Sequence, residues 1–117
     1  MSKYASGAEN DRRTAPRVQT QRPGKLLGGT FAWDCVIRDV SDSGLRVQML
    51  AGVAPPARAQ LVDLVGGVAY DVQMAWQKDR EFGFRVLKIH DLRGLTPASA
   101  RQAKNIWAAS QARASAS

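Results

Sequence analysis

The sequence predicts an all-β domain, a small antiparallel barrel or sandwich, followed by one C-terminal helix. The 117 residues are enough for a single domain of ordinary size. From about residue 18 to residue 87, short apolar runs with a period of two alternate with turns rich in Gly, Asp and Ser, which is typical of antiparallel sheets. After Leu95 the chain becomes alanine-rich, and this change favours a helix.

Three strands are predicted in the first half. The first covers residues 18–27, in which Pro23 and Gly24 require a break or an edge position. The second strand has Val40 on the opposite parity from its earlier apolar residues, so we expect a β-bulge between Ile37 and Val40. Those earlier residues are Phe31, Trp33, Cys35 and Ile37. The third strand follows a turn at residues 41–44, and its inner residues are Leu45, Val47 and Met49.

A three-strand meander is predicted next. Its first strand, residues 59–65, ends at Gly66-Gly67, a tight hairpin turn that needs a positive φ. Residues 68–76 alternate most clearly, and a polar loop at 77–81 leads to the last strand, residues 82–87. The predicted inner residues of these two strands are Val68, Tyr70, Val72, Met74, Trp76, Phe82, Phe84 and Val86.

The C-terminal helix is predicted over residues 97–112. Thr96 is expected to cap it, with Pro97 at the first helical position. One face of this helix carries Ala103, Ile106, Trp107 and Ser110. This face could lie against the barrel or against a partner, and we expect the barrel, because such apolar stripes usually face a core.

The formal net charge of +7 and the isoelectric point near 10.3 predict an anionic partner. Charge alone leaves open a nucleotide, a nucleic acid, a membrane surface or an acidic protein. The basic residues crowd the N-terminal quarter, where we expect the anion to bind. They are Arg12, Arg13, Arg17, Arg22 and Lys25.

Several classes of function are disfavoured by composition. Cys35 is the only cysteine and His90 the only histidine, so one chain offers neither a disulfide nor a zinc site built from several Cys and His ligands. Cys35 lies in an apolar run and is expected to be a core thiol rather than the partner of His90 in a nucleophile pair. No nucleophile motif surrounds Ser41 or His90. We therefore predict no catalytic residue, no metal and no cofactor.

The chain also lacks features of exported and membrane-spanning proteins. Its N-terminus has no apolar segment of the kind that an export signal needs. No stretch approaches the ~18 uninterrupted apolar residues of a membrane span. We expect a cytoplasmic protein.

Two short motifs stand out: Arg13-Thr14-Ala15-Pro16-Arg17, an RxxxR, and Asp39-Val40-Ser41-Asp42-Ser43-Gly44, a DxSxxG. Each is weak alone. The first could belong to a solvated basic tail, and the second is an ordinary recipe for a turn in which glycine supplies a positive φ.

Together and in this order, the two motifs resemble those of the PilZ family. The resemblance extends to Met74-Ala75-Trp76 and Gly83-Phe84-Arg85-Val86, which look like the family's late hairpin, and it covers about residues 12–87. It implies a small six-stranded antiparallel β-barrel and a bacterial receptor that binds the second messenger cyclic di-GMP through both motifs.

The chemistry of the motif residues fits that ligand. Arg13 and Arg17 can each engage the N7 and O6 acceptors of a guanine and stack on its face, and they can also reach the phosphates. Asp39 can accept hydrogen bonds from guanine N1–H and N2–H, and Ser41 can donate to a phosphate or to nearby backbone. Gly44 shapes the turn and permits close approach. Arg12 adds charge without an assigned contact. Trp33 and Trp76 are expected in the core or at the barrel rim rather than as stacking platforms.

The sequence thus predicts a flexible lead-in at residues 1–11, a PilZ-like barrel domain at 12–92, and a helix and tail at 93–117. Ligand is expected to order the arginine segment against the barrel, and the changed surface would signal to a downstream protein. Two alternatives remain open. One is a ligand-free PilZ-like adaptor for protein interaction, and the other is a small nucleic-acid-binding barrel.

Overall fold

In a computed structural model, the chain is described at residues 18–41, 43–52 and 54–116, with side chains at 20–41, 43–52 and 54–113. The predicted lead-in therefore lies outside the described residues. The same holds for Arg12, Arg13 and Arg17. No helix in the described part is both long enough and apolar enough to cross a membrane.

Six antiparallel strands form a closed barrel, as predicted. They are β1 (Val18–Gly28), β2 (Phe31–Val40), β3 (Gly44–Met49), β4 (Arg58–Asp63), β5 (Val68–Lys78) and β6 (Glu81–Asp91). Around the barrel the order is β1-β2-β3-β6-β5-β4, and β4 pairs with β1 to complete the ring. The neighbouring strands β4, β5 and β6 confirm the predicted meander. At its first turn, Gly67 has a φ of +68°, the left-handed conformation that the Gly66-Gly67 pair predicted.

The barrel interior is filled by apolar side chains from all six strands. Leu26, Ile37, Val47 and Leu61 are fully buried. Cys35 also belongs to this interior cluster, which confirms it as a core thiol. Burial raises the pKa of the Cys35 thiol to about 12.

The strand β1 accommodates Pro23 at an edge, as predicted. Pro23 pairs with Val36 of β2, but pairing with β4 begins only at Gly24, which lies opposite Asp63. The Pro23 carbonyl accepts a hydrogen bond from Leu64 N–H at 3.2 Å, a contact that does not need the N–H that proline lacks.

Extra residues in β2 and β5, two of the strands that have register shifts, change which side chains face inward. In β2, Ile37 pairs with Val47 and Asp39 with Arg46, so Arg38 is the extra residue of the predicted bulge. In β5, Ala75 is extra, because Met74 pairs with Phe84 and Trp76 with Gly83. The prediction that Trp76 shares the inner face is wrong, since the extra residue inverts the parity of the strand. Trp76 is 43% exposed.

The C-terminal segment begins with a short 3₁₀ helix at Ala98–Ala100 and continues as α1 (Arg101–Ala116). The predicted Thr96 cap is wrong. Thr96 Oγ1 contacts the carbonyls of Asp91 and Gly94 instead, and Pro97 occupies the N-cap position of the 3₁₀ helix without a side-chain cap. The helix also extends past the predicted end at residue 112.

The helix covers the outer face of β1, β4 and β5, as predicted from its apolar stripe. A second buried cluster joins barrel and helix, and its members are Leu27, Val62, Ala69, Leu92, Ala100 and Ala103. Ile106 and Trp107 pack against it. Trp107 Nε1 is buried without a hydrogen-bond partner among the described residues.

A polar network links the barrel wall to the start of the helical segment. His90 is buried, and its Nε2 lies 2.9 Å from Asp71 Oδ2. Gln60 donates to Asp71 Oδ1 at 2.8 Å and to the Ser99 carbonyl at 3.3 Å. Burial by itself would raise the pKa of Asp71, but the hydrogen bonds with Gln60 and His90, together with the charges of His90 and Lys88, outweigh it and lower that pKa. His90 is thus part of a structural network.

We predict opposite behaviour for two substitutions of Trp107. Trp107→Ala removes a partly buried aromatic side chain and should lower the free energy of unfolding by about 2 kcal/mol. Trp107→Phe keeps most of the packing and removes the unpaired indole N–H, so it should be close to neutral. Urea unfolding followed by circular dichroism measures both. An equal loss in the two variants would contradict the docking described here.

The Cys35 thiol should be unreactive in the folded protein. At pH 8 its raised pKa and its burial should slow reaction with a disulfide reagent at least about a hundredfold relative to an ordinary thiol. In denaturing urea, this single cysteine should react at the ordinary rate, which serves as the internal control. Native and unfolded protein reacting equally fast would show that Cys35 is not in the interior.

Candidate ligand-binding site on the outer face of β1, β2 and β3

Asp39 lies near the end of β2 and is only 5% exposed. The bulge at Arg38 places it opposite Arg46 of β3 on one side, and it pairs with Gln19 of β1 on the other. Arg46 Nε donates a hydrogen bond to Asp39 Oδ2. The carboxylate that the DxSxxG motif contributes is therefore held by an arginine on the neighbouring strand.

Arg46 is shared between two carboxylates. Its Nη1 donates to Glu81 Oε2 of β6 at 2.9 Å, while its Nε contacts Asp39. The hydrogen bond to Asp39 is the main cause that raises the pKa of Arg46, the contact with Glu81 adds to it, and desolvation opposes both. One guanidinium thereby links β2, β3 and β6.

The turn of the DxSxxG motif is closed by Ser41 and Gly44. Ser41 N–H donates to the Gly44 carbonyl at 2.9 Å, Ser41 Oγ donates to the same carbonyl at 3.1 Å, and Gly44 N–H donates to Ser41 Oγ at 3.1 Å. Ser41 thus organises the local backbone, one of the two roles considered for it. Asp42 lies outside the described residues.

Gly44 does not adopt the positive φ that the turn pattern predicted, since Gly29 and Gly67 are the described glycines that do. It is instead the first residue of β3 and pairs with Arg85 of β6. A Cβ at Gly44 would lie 3.2 Å from the Phe84 carbonyl oxygen, a close contact. The glycine is explained by the close approach of β6 rather than by a left-handed turn.

A cleft of about 380 Å³ opens beside this ion cluster, and we call it the β1–β2–β3 cleft. Its lining residues are Thr20, Gln21, Arg38 and Arg46. Arg38 Nη1 donates to Gln48 Oε1 at 3.1 Å, a neutral partner. Two guanidinium groups from adjacent strands therefore border a polar cleft. That of Arg46 is already paired with Asp39 and Glu81, so Arg38 is the lining cation that favours an anionic ligand.

Sequence reasoning missed Arg38 and Arg46. The alternation of β3 contained a signal for Arg46, because Leu45 and Val47 point inward and the residue between them must point outward. No pattern in the sequence showed that this side chain reaches Asp39, since that contact depends on the pairing of β2 with β3 past the bulge.

The strand β1 begins at the same end of the site. Val18 pairs with Val40, and Gln19 pairs with Asp39. In the sequence, the RxxxR motif ends at Arg17, directly before Val18, the first residue of β1. The roles of Arg12, Arg13 and Arg17 remain predictions, because these residues lie outside the described part of the chain.

A second hollow, of about 200 Å³, lies on the other side of the DxSxxG turn. Ser43, Gly44 and Trp76 are among its lining residues. Trp76 lies directly over Gly83, where an added Cβ would be 1.9 Å from its Nε1. Trp33, by contrast, packs against the interior, as predicted, and stacks on Phe31 with ring centroids 5.0 Å apart.

Comparison with known families agrees with the fold and the motifs. The family model described as PilZ domain matches residues 11–95, a range that includes both motifs and all six strands. The chain therefore belongs to the PilZ domain family. No curated protein gives a significant match to it.

The contact between Trp76 and Gly83 yields a prediction. Gly83→Ala places a methyl group where the indole lies, so the ring must move further into solvent and its fluorescence emission should shift to the red. Because the chain has three tryptophans, the control is the same substitution in a Trp76→Phe background, where no shift should remain. A shift that persists in that background would contradict the placement of Trp76.

Proposed function

We propose that this protein is a receptor for cyclic di-GMP and that it catalyses no reaction. The observation that carries the proposal is the match to the PilZ domain family across both motifs, together with the buried Asp39 beside an arginine-lined cleft. Family members of this kind are binding domains, and the site offers hydrogen-bonding and charged groups suited to a guanine-containing dianion.

In this proposal, the barrel wall recognises the guanine base and the N-terminal segment supplies the positively charged side chains. Asp39 accepts hydrogen bonds from the N1–H and N2–H edge of a guanine. Arg13 and Arg17 engage guanine N7 and O6, stack on the bases and contact the phosphates, with Arg12 adding charge. Ser41 and Gly44 keep the turn in a shape that lets the ligand lie against it.

Signalling follows from the position of the arginine motif ahead of β1. Ligand bound between that motif and the barrel wall orders the segment and changes the surface that a downstream protein contacts. A receptor for an intracellular second messenger acts in the cytoplasm. The target protein must bind differently to the surface of the ligand-bound receptor and to that of the ligand-free receptor.

Isothermal titration calorimetry tests the proposal. Wild-type protein should bind cyclic di-GMP at micromolar or lower concentration and should discriminate against cyclic di-AMP and GTP. Arg17→Ala and Asp39→Ala should each weaken binding at least several-fold, because a good bidentate contact contributes roughly 1–3 kcal/mol. Arg101→Ala, which removes an exposed arginine at the start of α1, is the matched control and should bind like wild type.

Absence of binding by wild-type protein would refute the proposal, and unimpaired Arg17→Ala and Asp39→Ala variants would refute the site. The net charge of +7 makes nucleic acid the competing ligand. Affinity for mixed oligonucleotides that falls steeply with salt, without preference for the cyclic dinucleotide, would favour that function instead.

A further inference from the structure

The orientation of the Asp39 carboxylate is not determined by its own side chain. The terminal torsion of an aspartate is broad and roughly two-fold, so rotamer preference alone leaves the carboxylate plane undefined. In this barrel, Arg46 Nε binds Oδ2, and Oδ1 accepts no hydrogen bond from the described residues. The described contacts thus hold one oxygen and leave the other for a ligand.

Arg46 is itself held in place. A guanidinium is planar with its donors in a rigid fork, so binding at two points fixes its plane. Arg46 meets Asp39 of β2 through Nε and Glu81 of β6 through Nη1 at 2.9 Å. Because β3 lies between those two strands in the barrel, the three side chains form a continuous row, Asp39–Arg46–Glu81, across the wall.

We propose that Arg46 is a positioning residue that sets the specificity of the site for guanine. It holds the Asp39 carboxylate through Oδ2 so that Oδ1 faces the N1–H and N2–H edge of the base and can accept from it, with Glu81 restraining Arg46 from the other side. The inference rests on the proposed function and adds to it a residue outside the two motifs. Substitution of Arg46 should therefore reduce the affinity for a ligand that lacks the guanine amino group by less than it reduces the affinity for cyclic di-GMP.

The experiment compares two ligands on each variant. Cyclic di-IMP carries hypoxanthine in place of guanine and differs by the missing N2 amino groups. Wild-type protein should prefer cyclic di-GMP by about tenfold or more, since a hydrogen bond to a charged group is lost with the other ligand. In Arg46→Gln this preference should fall by about threefold or more.

The ratio of the affinities for cyclic di-GMP and cyclic di-IMP distinguishes a positioning role of Arg46 from an effect of the substitution on protein stability. If part of the sample is unfolded, the apparent affinities for both ligands fall by the same factor, so this effect cancels in their ratio. Arg46→Lys keeps the positive charge without the planar fork, and its ratio should fall as in Arg46→Gln. Glu81→Gln, which weakens the second contact of Arg46, should give an intermediate ratio.

The matched control is Arg38→Gln. Arg38 borders the same cleft and its loss removes the same charge, but its described hydrogen bond goes to neutral Gln48 rather than to Asp39. This variant can bind both ligands more weakly, yet its ratio should equal that of wild type.

The possible failures are distinct. Wild-type protein that binds neither ligand would refute the proposed function and this inference with it. Wild-type protein that prefers cyclic di-GMP, with the same preference in Arg46→Gln and Arg46→Lys, would leave the receptor function intact and refute the positioning role. Equal weakening toward both ligands in those variants leaves the ratio at the wild-type value, so it contradicts the inference whether it comes from partial unfolding or from the loss of a phosphate contact.

Discussion

The barrel closes because the second half of β1 pairs with β4 as well as with β2. Its whole length follows β2, but only Gly24 to Leu27 pair with β4. Within those four positions the ring of strands is completed and the apolar interior is sealed, with Leu26 fully buried. The first half of β1 pairs with β2 alone, and it is this half that borders the β1–β2–β3 cleft. The pairing of β1 with β4 thus closes the ring around the core, and the part of β1 that precedes this pairing borders the cleft.

The outer surface consequently has two different faces. On β1, β4 and β5 it is apolar and is covered by the C-terminal helix, with Ala100 and Ala103 fully buried. On β1, β2 and β3 it carries the row Asp39–Arg46–Glu81 and the arginine-lined cleft. The helix stabilises one face, while the other presents charged groups to a ligand. This division is well suited to a binding domain, in which the site must be open and its support must be rigid.

The residues that could have suggested catalysis have structural positions. Cys35 is in the barrel interior, and its pKa is raised to about 12. His90 contacts Asp71 beneath the helical segment, and Ser41 exchanges hydrogen bonds with Gly44 inside a turn. Among the described residues, the polar groups that line the cleft are instead two guanidinium groups, a hydroxyl and an amide. These groups can bind an anion, and this supports a receptor rather than an enzyme as the proposed function.

The sequence by itself determined the strand order along the chain, the core parity of β3, the bulge near Asp39 and the covering helix, because each depends on local periodicity or on a turn residue. It also identified the family through two motifs. Only the tertiary structure decided that Trp76 faces outward and that Arg46 holds Asp39. The first outcome depends on the extra residue Ala75, and the second on which residue of β3 lies opposite Asp39 past the bulge; both become visible only when the partner strand is in place. Pairing between strands that are separate in sequence is a property of the closed barrel, and no local pattern encodes which side chains it brings into contact.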